Sequence, residues 1–214
     1  MKVVVVVAHP DDEALGCGGT IARWSAEGAA VTVLLPLKRR DPRGISAWDA
    51  LLTGFERSCE ALGATPALPA ALMNETDAET RLNELHDVIL PWIERADLVL
   101  THWPGDVNQV HRGVSRAVEI ATRPFRRRRD VSCFEVPTST EQGFGGAMAT
   151  PFAPNEYVVL TEAHVRAKLK ALDCYPSELD RGRRPEDVER RLRLRGSEIG
   201  GDYAEAFVVA RRFR

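Results

Sequence analysis

Five consecutive valines, residues 3–7, run into Ala8 and then into His9-Pro10-Asp11-Asp12-Glu13. Few folds accommodate such a start. An uninterrupted apolar run of this length reads as a buried strand, because a strand with one wet face would alternate. The five residues that follow make poor core. A histidine and carboxylates at the end of a buried strand instead make a good metal site, since open α/β sheets bind ligands beyond the carboxyl ends of their strands.

The rest of the chain repeats the rhythm. Helices are expected over residues 12–27, 46–62, 77–95 and 110–122, with strands over 2–7, 31–35, 97–101 and 131–136. Leu15, Ile21, Ala22 and Trp24 supply the apolar side of the first helix and Gly28 its stop. Ser46 is the expected N-cap of the second helix, and Gly63 is its C′ residue. Pro124 follows the end of the fourth. Parallel strands need crossovers and helices supply them, so the alternation predicts a Rossmann-like α/β fold, a mainly parallel sheet with helices on both faces. Beyond Pro137 the rhythm breaks. Residues 137–154 are rich in Thr, Ser, Gly and Pro and read as a long loop of the kind that forms lids or binding surfaces. A short strand at 157–160, helices at 161–172 and 185–195, and a last strand at 207–210 complete the pattern.

With 214 residues and a net charge of −2, the chain suits one compact domain, 1–214, with a sizeable core. No apolar stretch spans a bilayer. The run at 3–8 lacks a charged segment before it beyond Lys2, so an unprocessed, cytoplasmic protein is expected. Cys17, Cys59, Cys133 and Cys174 are far apart, form no CxxC pair and read as buried free thiols. Residues 126–129 are all arginine. In a chain that is not basic overall they read as a solvated loop, and no nucleic-acid partner is expected.

A second strand end repeats the polar signal: Thr101-His102, then Asp106, Asn108 and His111. In a parallel sheet both carboxyl ends face one rim, so these distant segments can share a crevice. Two histidines and one aspartate supply the three protein ligands of a catalytic zinc, with a fourth place for water. Asp11 and Asp12 are adjacent and cannot easily point the same way; one ligand and one base is the natural division. Taken singly, Asp12 also reads as a helix cap and His9 as a satisfied strand-end residue. Gly16-Cys17-Gly18-Gly19 suggests a dinucleotide turn, but GxGxxG would need glycine where Ile21 stands. Small residues that let the helix pack closely are the better reading.

Ala8-His9-Pro10-Asp11-Asp12-Glu13 with Leu15-Gly16-Cys17-Gly18-Gly19-Thr20 resembles the opening signature of the LmbE-like (PIG-L) de-N-acetylases. These are zinc-dependent enzymes that remove acetyl groups from N-acetylglucosamine-type amino sugars. Thr101-His102, Asp106, Asn108 and His111-Arg112 resemble the family's second motif, and residues 134–141, 175–178 and 203–207 its later elements. The resemblance implies His9, Asp12 and His111 as ligands of zinc, or of another divalent metal, and Asp11 as general base and then general acid. It also implies supporting places for Glu13, Asp106 and Asn108. Arg43 is a candidate substrate contact, and reads equally as a free surface arginine.

The chain departs from the family pattern at several places. Val110 replaces the usual aspartate before the ligand histidine, and Asn108 stands where some members carry an oxyanion-stabilising histidine. That role then falls to Asn108, to His102 or to the metal-bound hydroxide. Residues 72–77 differ from the acidic loop often found there, which bears on sugar recognition. The expected function is metal-dependent hydrolysis of the acetamide of an N-acetylated amino sugar or glycoconjugate, giving acetate and a free amine. The alternative, suggested by Val110, is a non-catalytic or weakly active metal- or sugar-binding descendant. The expected partner is a small amino-sugar substrate, and a homo-oligomer is left open.

Overall fold

The computed structural model describes residues 1–40, 45–125, 127–143, 151–180 and 182–214. The valine run forms β1 (Lys2–Val6), and its side chains alternate across the sheet. Val3, Val5 and Val7 enter one apolar cluster, whereas Val4, Val6 and Ala8 enter another on the opposite face. The run is continuous because both faces are covered, as a parallel sheet requires.

In chain order there follow α1 (Asp12–Ala26), β2 (Ala30–Leu34), β3 (Leu37–Lys38), α2 (Trp48–Ala61), β4 (Thr65–Ala67) and β5 (Met73–Asn74). Next come α3 (Leu82–Ile93), β6 (Leu98–His102), α4 (Gln109–Ala121) and β7 (Asp130–Phe134). The chain ends with β8 (Glu156–Val159), α5 (Glu162–Leu172), α6 (Pro185–Ser197) and β9 (Ala204–Arg211). The main sheet has the order β4-β2-β1-β6-β7-β9-β8; β3 and β5 form a separate small pair. Leu15, Phe55, Leu172 and Leu192 bring α1, α2, α5 and α6 onto one face. Leu85, Ile89, Val114 and Val118 bring α3 and α4 onto the other.

The five strands from β4 to β7 are parallel, as the β-α alternation predicts. β9 and β8 run antiparallel to their neighbours, so the sheet is mainly parallel and carries an antiparallel edge. From β1 the chain moves outward to β2 and β4, then returns to β6 on the other side of β1. This reversal opens a crevice at the carboxyl ends of β1 and β6, where ligands bind in such sheets. His9 and His102 stand at those two ends.

Several boundaries differ from the sequence reading. The second helix starts at Trp48 with Ala47 in the cap position, so Ser46 does not cap it; Gly63 does take a positive φ, 70°, after the helix. The helix expected from residue 77 starts at Leu82, preceded by a 3₁₀ turn at Glu75–Asp77. The reason is packing: a Cβ on Gly113 of α4 would stand 2.6 Å from the Ala78 carbonyl, so that backbone lies directly against the helix. Strand β4 contains Pro66, which donates no ladder hydrogen bond and is tolerated here because β4 lies at the sheet edge. No helix among the described residues is long and apolar enough to cross a membrane.

Candidate metal centre

The turn from β1 into α1 places four polar side chains in a tight space. Asp11 precedes the helix in a left-handed conformation, φ 111° and ψ −26°, and makes no side-chain cap bond. Nor does Asp12 cap the helix. Its Oδ2 turns back to the strand end and accepts the N–H groups of His9 at 2.8 Å and Ala8 at 3.2 Å. His111 arrives from the first turn of α4, whose N-cap is Asn108; Asn108 Oδ1 accepts the Val110 N–H at 2.8 Å.

Among the described residues, His9, Asp12 and His111 are the group whose ligand atoms converge. His9 Nδ1 lies 3.2 Å from His111 Nε2 and 3.4 Å from Asp12 Oδ2, and His111 Nε2 lies 3.4 Å from Asp12 Oδ1. Ligand bonds of about 2.0–2.1 Å in a tetrahedral site put neighbouring donors about 3.3–3.4 Å apart. The two imidazole nitrogens are spaced as neighbouring ligands of such a site, and Asp12 offers one oxygen to each of them; taking one ligand atom per residue, all three lie within 4.8 Å of one another. Two imidazole nitrogens facing each other at this distance also need something between them, a proton or a cation.

Each histidine has a carboxylate within ion-pair distance of its other nitrogen, the position from which a hydrogen-bonded carboxylate orients an imidazole at metal sites. His111 Nδ1 lies 3.2 Å from Asp106 Oδ2, and His9 Nε2 lies 3.3 Å from Glu75 Oε2. Asp106 is in turn held by the hydroxyls of Ser139 and Thr140 (2.6 Å for Thr140) and by the Asn108 N–H at 2.8 Å. His102 is fully buried behind the site. It stacks on His111 with ring centroids 4.1 Å apart, and its Nε2 accepts the Ala8 N–H at 3.0 Å. Nε2 is therefore spent on the strand end, Nδ1 has no hydrogen-bond partner among the described residues, and the buried ring is not among the side chains that line the cleft.

The charges follow from burial and neighbours. Burial disfavours the imidazolium of His9, but Asp12 and Glu75 outweigh it and lift the group to about 9. His111 is likewise raised against burial by Asp12 and Asp106. Burial, then the nearby His111, push His102 down to about 3, so it is a neutral acceptor. Against burial, His111 and His102 hold Asp12 well below the usual carboxylate range. Burial and the adjacent Asp12 charge lift Asp11 to about 8, opposed by Arg183 and His9.

Asp11, Asn108 and the three donors line one cleft with Arg39, Glu178 and Arg183, and every one of these side chains is polar or charged. Arg183 Nη1 is 3.1 Å from Asp11 Oδ2, and Arg39 Nη1 is 3.5 Å from Glu178 Oε2. Glu13 lies beneath the cleft, fully buried, accepting the hydroxyls of Ser58 at 2.5 Å and Tyr175 at 2.6 Å on Oε1. Arg43 lies outside the described residues, as do residues 144–150 of the long loop. The structure thus gathers His9, Asp11, Asp12, Glu13, Asp106, Asn108 and His111 at one place. Sequence reasoning missed Glu75, Arg39 and Arg183. Glu75 sits in a segment noted only for its difference from the family's acidic loop, and Arg183 is one of many arginines in a charged stretch.

A family model described as GlcNAc-PI de-N-acetylase (PIG-L) matches residues 4–122. The 1D-myo-inositol 2-acetamido-2-deoxy-alpha-D-glucopyranoside deacetylase of Rhodococcus erythropolis is 61% identical over 33 residues, 15% of this chain and 11% of that protein. The match therefore spans about a ninth of that relative's length. The uncharacterized deacetylase YaiS of Escherichia coli is 26% identical over 184 residues, 82% of this chain and 90% of that protein. Among solved structures, teicoplanin deacetylase Orf2 in its zinc-inhibited form superposes with a TM-score of 0.75 at 16% identity, covering all of both chains. The 4-carboxy-2-hydroxymuconate hydratase GalB of Pseudomonas putida KT2440 superposes at 0.74 and 20% identity, over 100% of this chain and 97% of that one. The fold is shared, and it hosts more than one chemistry.

Proposed function

The chain belongs to the GlcNAc-PI de-N-acetylase (PIG-L) family, whose model it matches over more than half its length, and on that footing we propose that it is a zinc-dependent de-N-acetylase. Its substrate is an N-acetylated amino sugar or a conjugate of one, and its 214 residues act as one unit. The observation that carries this reading is the convergence of one ligand atom each from His9, Asp12 and His111 within 4.8 Å, with the two imidazole nitrogens 3.2 Å apart, opening on the same cleft as Asp11. An all-polar lining suits a hydroxylated ligand better than an apolar one.

A divalent cation bound there supplies Lewis acidity to the acetamide carbonyl and to water. The chain supplies the rest. Asp106 and Glu75 hold the two imidazoles in place. Asp11 accepts a proton as the water oxygen bonds to the acetamide carbon. It then returns that proton to the sugar nitrogen as the C–N bond breaks, so acetate and a free amine leave. Asn108 has spent Oδ1 on its helix cap, so its NH₂ is the donor it offers to the cleft. Val110 does not weaken this reading. It is buried in the apolar cluster at the start of α4, and the donor set is complete without a carboxylate there.

Asp11→Asn keeps stoichiometric zinc and loses about 10²-fold or more in acetate release, the span of general acid–base catalysis. His111→Ala loses the metal itself. Metal analysis beside an acetate-release assay on a panel of N-acetyl sugars reads both. Zinc-loaded wild type that releases no acetate from any of them removes the hydrolytic reading. Full activity in Asp11→Asn removes the base.

A further inference from the structure

Two residues other than glycine hold left-handed backbone among the described residues: Asp11 at φ 111° and Thr138 at φ 67°. For a β-branched threonine this is a strained conformation, and strain of this kind persists only where surrounding groups enforce it. The two lie in loops after different strands, β1 and β7. One guanidinium joins them. Arg183 Nε donates to Thr138 Oγ1 at 2.8 Å, and Nη1 donates to Asp11 Oδ2 at 3.1 Å. Gly182, itself at φ 87°, lets the backbone approach; a Cβ there would stand 3.0 Å from Thr138 Cγ2. Only arginine offers two directed donors at a fixed angle from one rigid fork. Its hold on Asp11 takes up Oδ2, while Oδ1 has no hydrogen-bond partner among the described residues.

We propose that Arg183 is the positioning residue of the acid–base carboxylate: it latches the loops after β1 and β7 in their left-handed turns and holds Asp11 so that Oδ1 is the oxygen left to exchange the proton. The acid–base part rests on the deacetylase reading; the latch does not. It also brings the segment after Glu178 into the cleft wall, beside the Arg39–Glu178 contact.

The test is Arg183→Met in the zinc-loaded full chain. Metal content stays at the wild-type level. kcat falls about 10–100-fold while KM stays close to wild type, because a misplaced catalytic group costs turnover more than binding. Free guanidinium ion added to the assay recovers part of kcat. A crystal structure of the variant shows Thr138 back at negative φ and the Asp11 carboxylate turned. Wild-type kcat, or both residues unmoved, overturns the proposal. If Arg183→Met does not fold, Arg183→Lys takes its place: a point charge keeps the bond to Asp11 and loses the one to Thr138, and Thr138 leaves the left-handed region. An inactive wild type sinks the hydrolase, and the latch then stands or falls on the two backbone angles alone.

Discussion

Glu13 shows how one residue serves the site without entering it. Its Oε1 receives two hydroxyls, from Ser58 on α2 and from Tyr175 after α5, and its Oε2 lies 3.3 Å from the Asp11 N–H. Burial raises its pKa against the pull of those hydroxyls. Glu13→Ala leaves two buried hydroxyls unpaired, each costing about 1–3 kcal/mol. Glu13→Gln keeps an acceptor oxygen and loses less. Urea unfolding of the two variants gives that order, and equal losses would show that the hydroxyls are not what Glu13 holds. At this scale the sequence was informative where chemistry was concentrated. His9, Asp11 and Asp12 were legible because polar residues directly after a valine run have no place in a core. Glu75 and Arg183 were not, because each is one charged residue among many, and only the chain path brings it to the cleft.

Helix α1 illustrates what elements add. It breaks at Cys17, where φ is −143° and ψ 23°. The break exposes carbonyls of the first turn and N–H groups of the second part, and a buried ion pair answers both. Lys168 of α5 donates to the Leu15 carbonyl at 2.8 Å and to Glu205 at 2.7 Å. Glu205 of β9 accepts the N–H groups of Gly19 at 3.0 Å and Thr20 at 2.7 Å. Both side chains are almost fully buried. Lys168→Met strands the Glu205 charge and costs about 3–5 kcal/mol by chemical denaturation; wild-type stability would deny the pair its place at the kink. The glycines of this helix are packing residues, as their failed dinucleotide spacing suggests. A Cβ on Gly16 would stand 2.4 Å from Phe134 of β7, and one on Gly19 2.4 Å from Leu160. Gly16→Ala is expected to cost about 1–3 kcal/mol through overpacking, read as a lower melting temperature with the zinc site intact. Most helices and strands were legible from their periods. The missed β3, β4 and β5 are two or three residues long, below the length at which any period shows.

At the scale of the whole molecule, the donors are 102 residues apart in sequence and 3.2 Å apart in space. The sheet order brings them together, since β6 returns to the flank of β1. A ligand that binds only the folded chain stabilises it, by about 2.7 kcal/mol at a hundredfold excess over Kd. Zinc is expected to raise the melting temperature of wild type and a chelator to reverse it, with no response from His111→Ala. A shift retained in that variant would place the stabilising ion elsewhere. By itself the sequence determined the parallel core and the chemistry of the first strand end, because hydrophobic period and residue type are local properties of a chain. The second strand end was marked by its own polar residues, and the family resemblance pointed to His111; only the tertiary structure decided how closely the two ends meet, which carboxylates flank the imidazoles and which arginine reaches Asp11. Those depend on strand order and loop path, and long-range packing sets both.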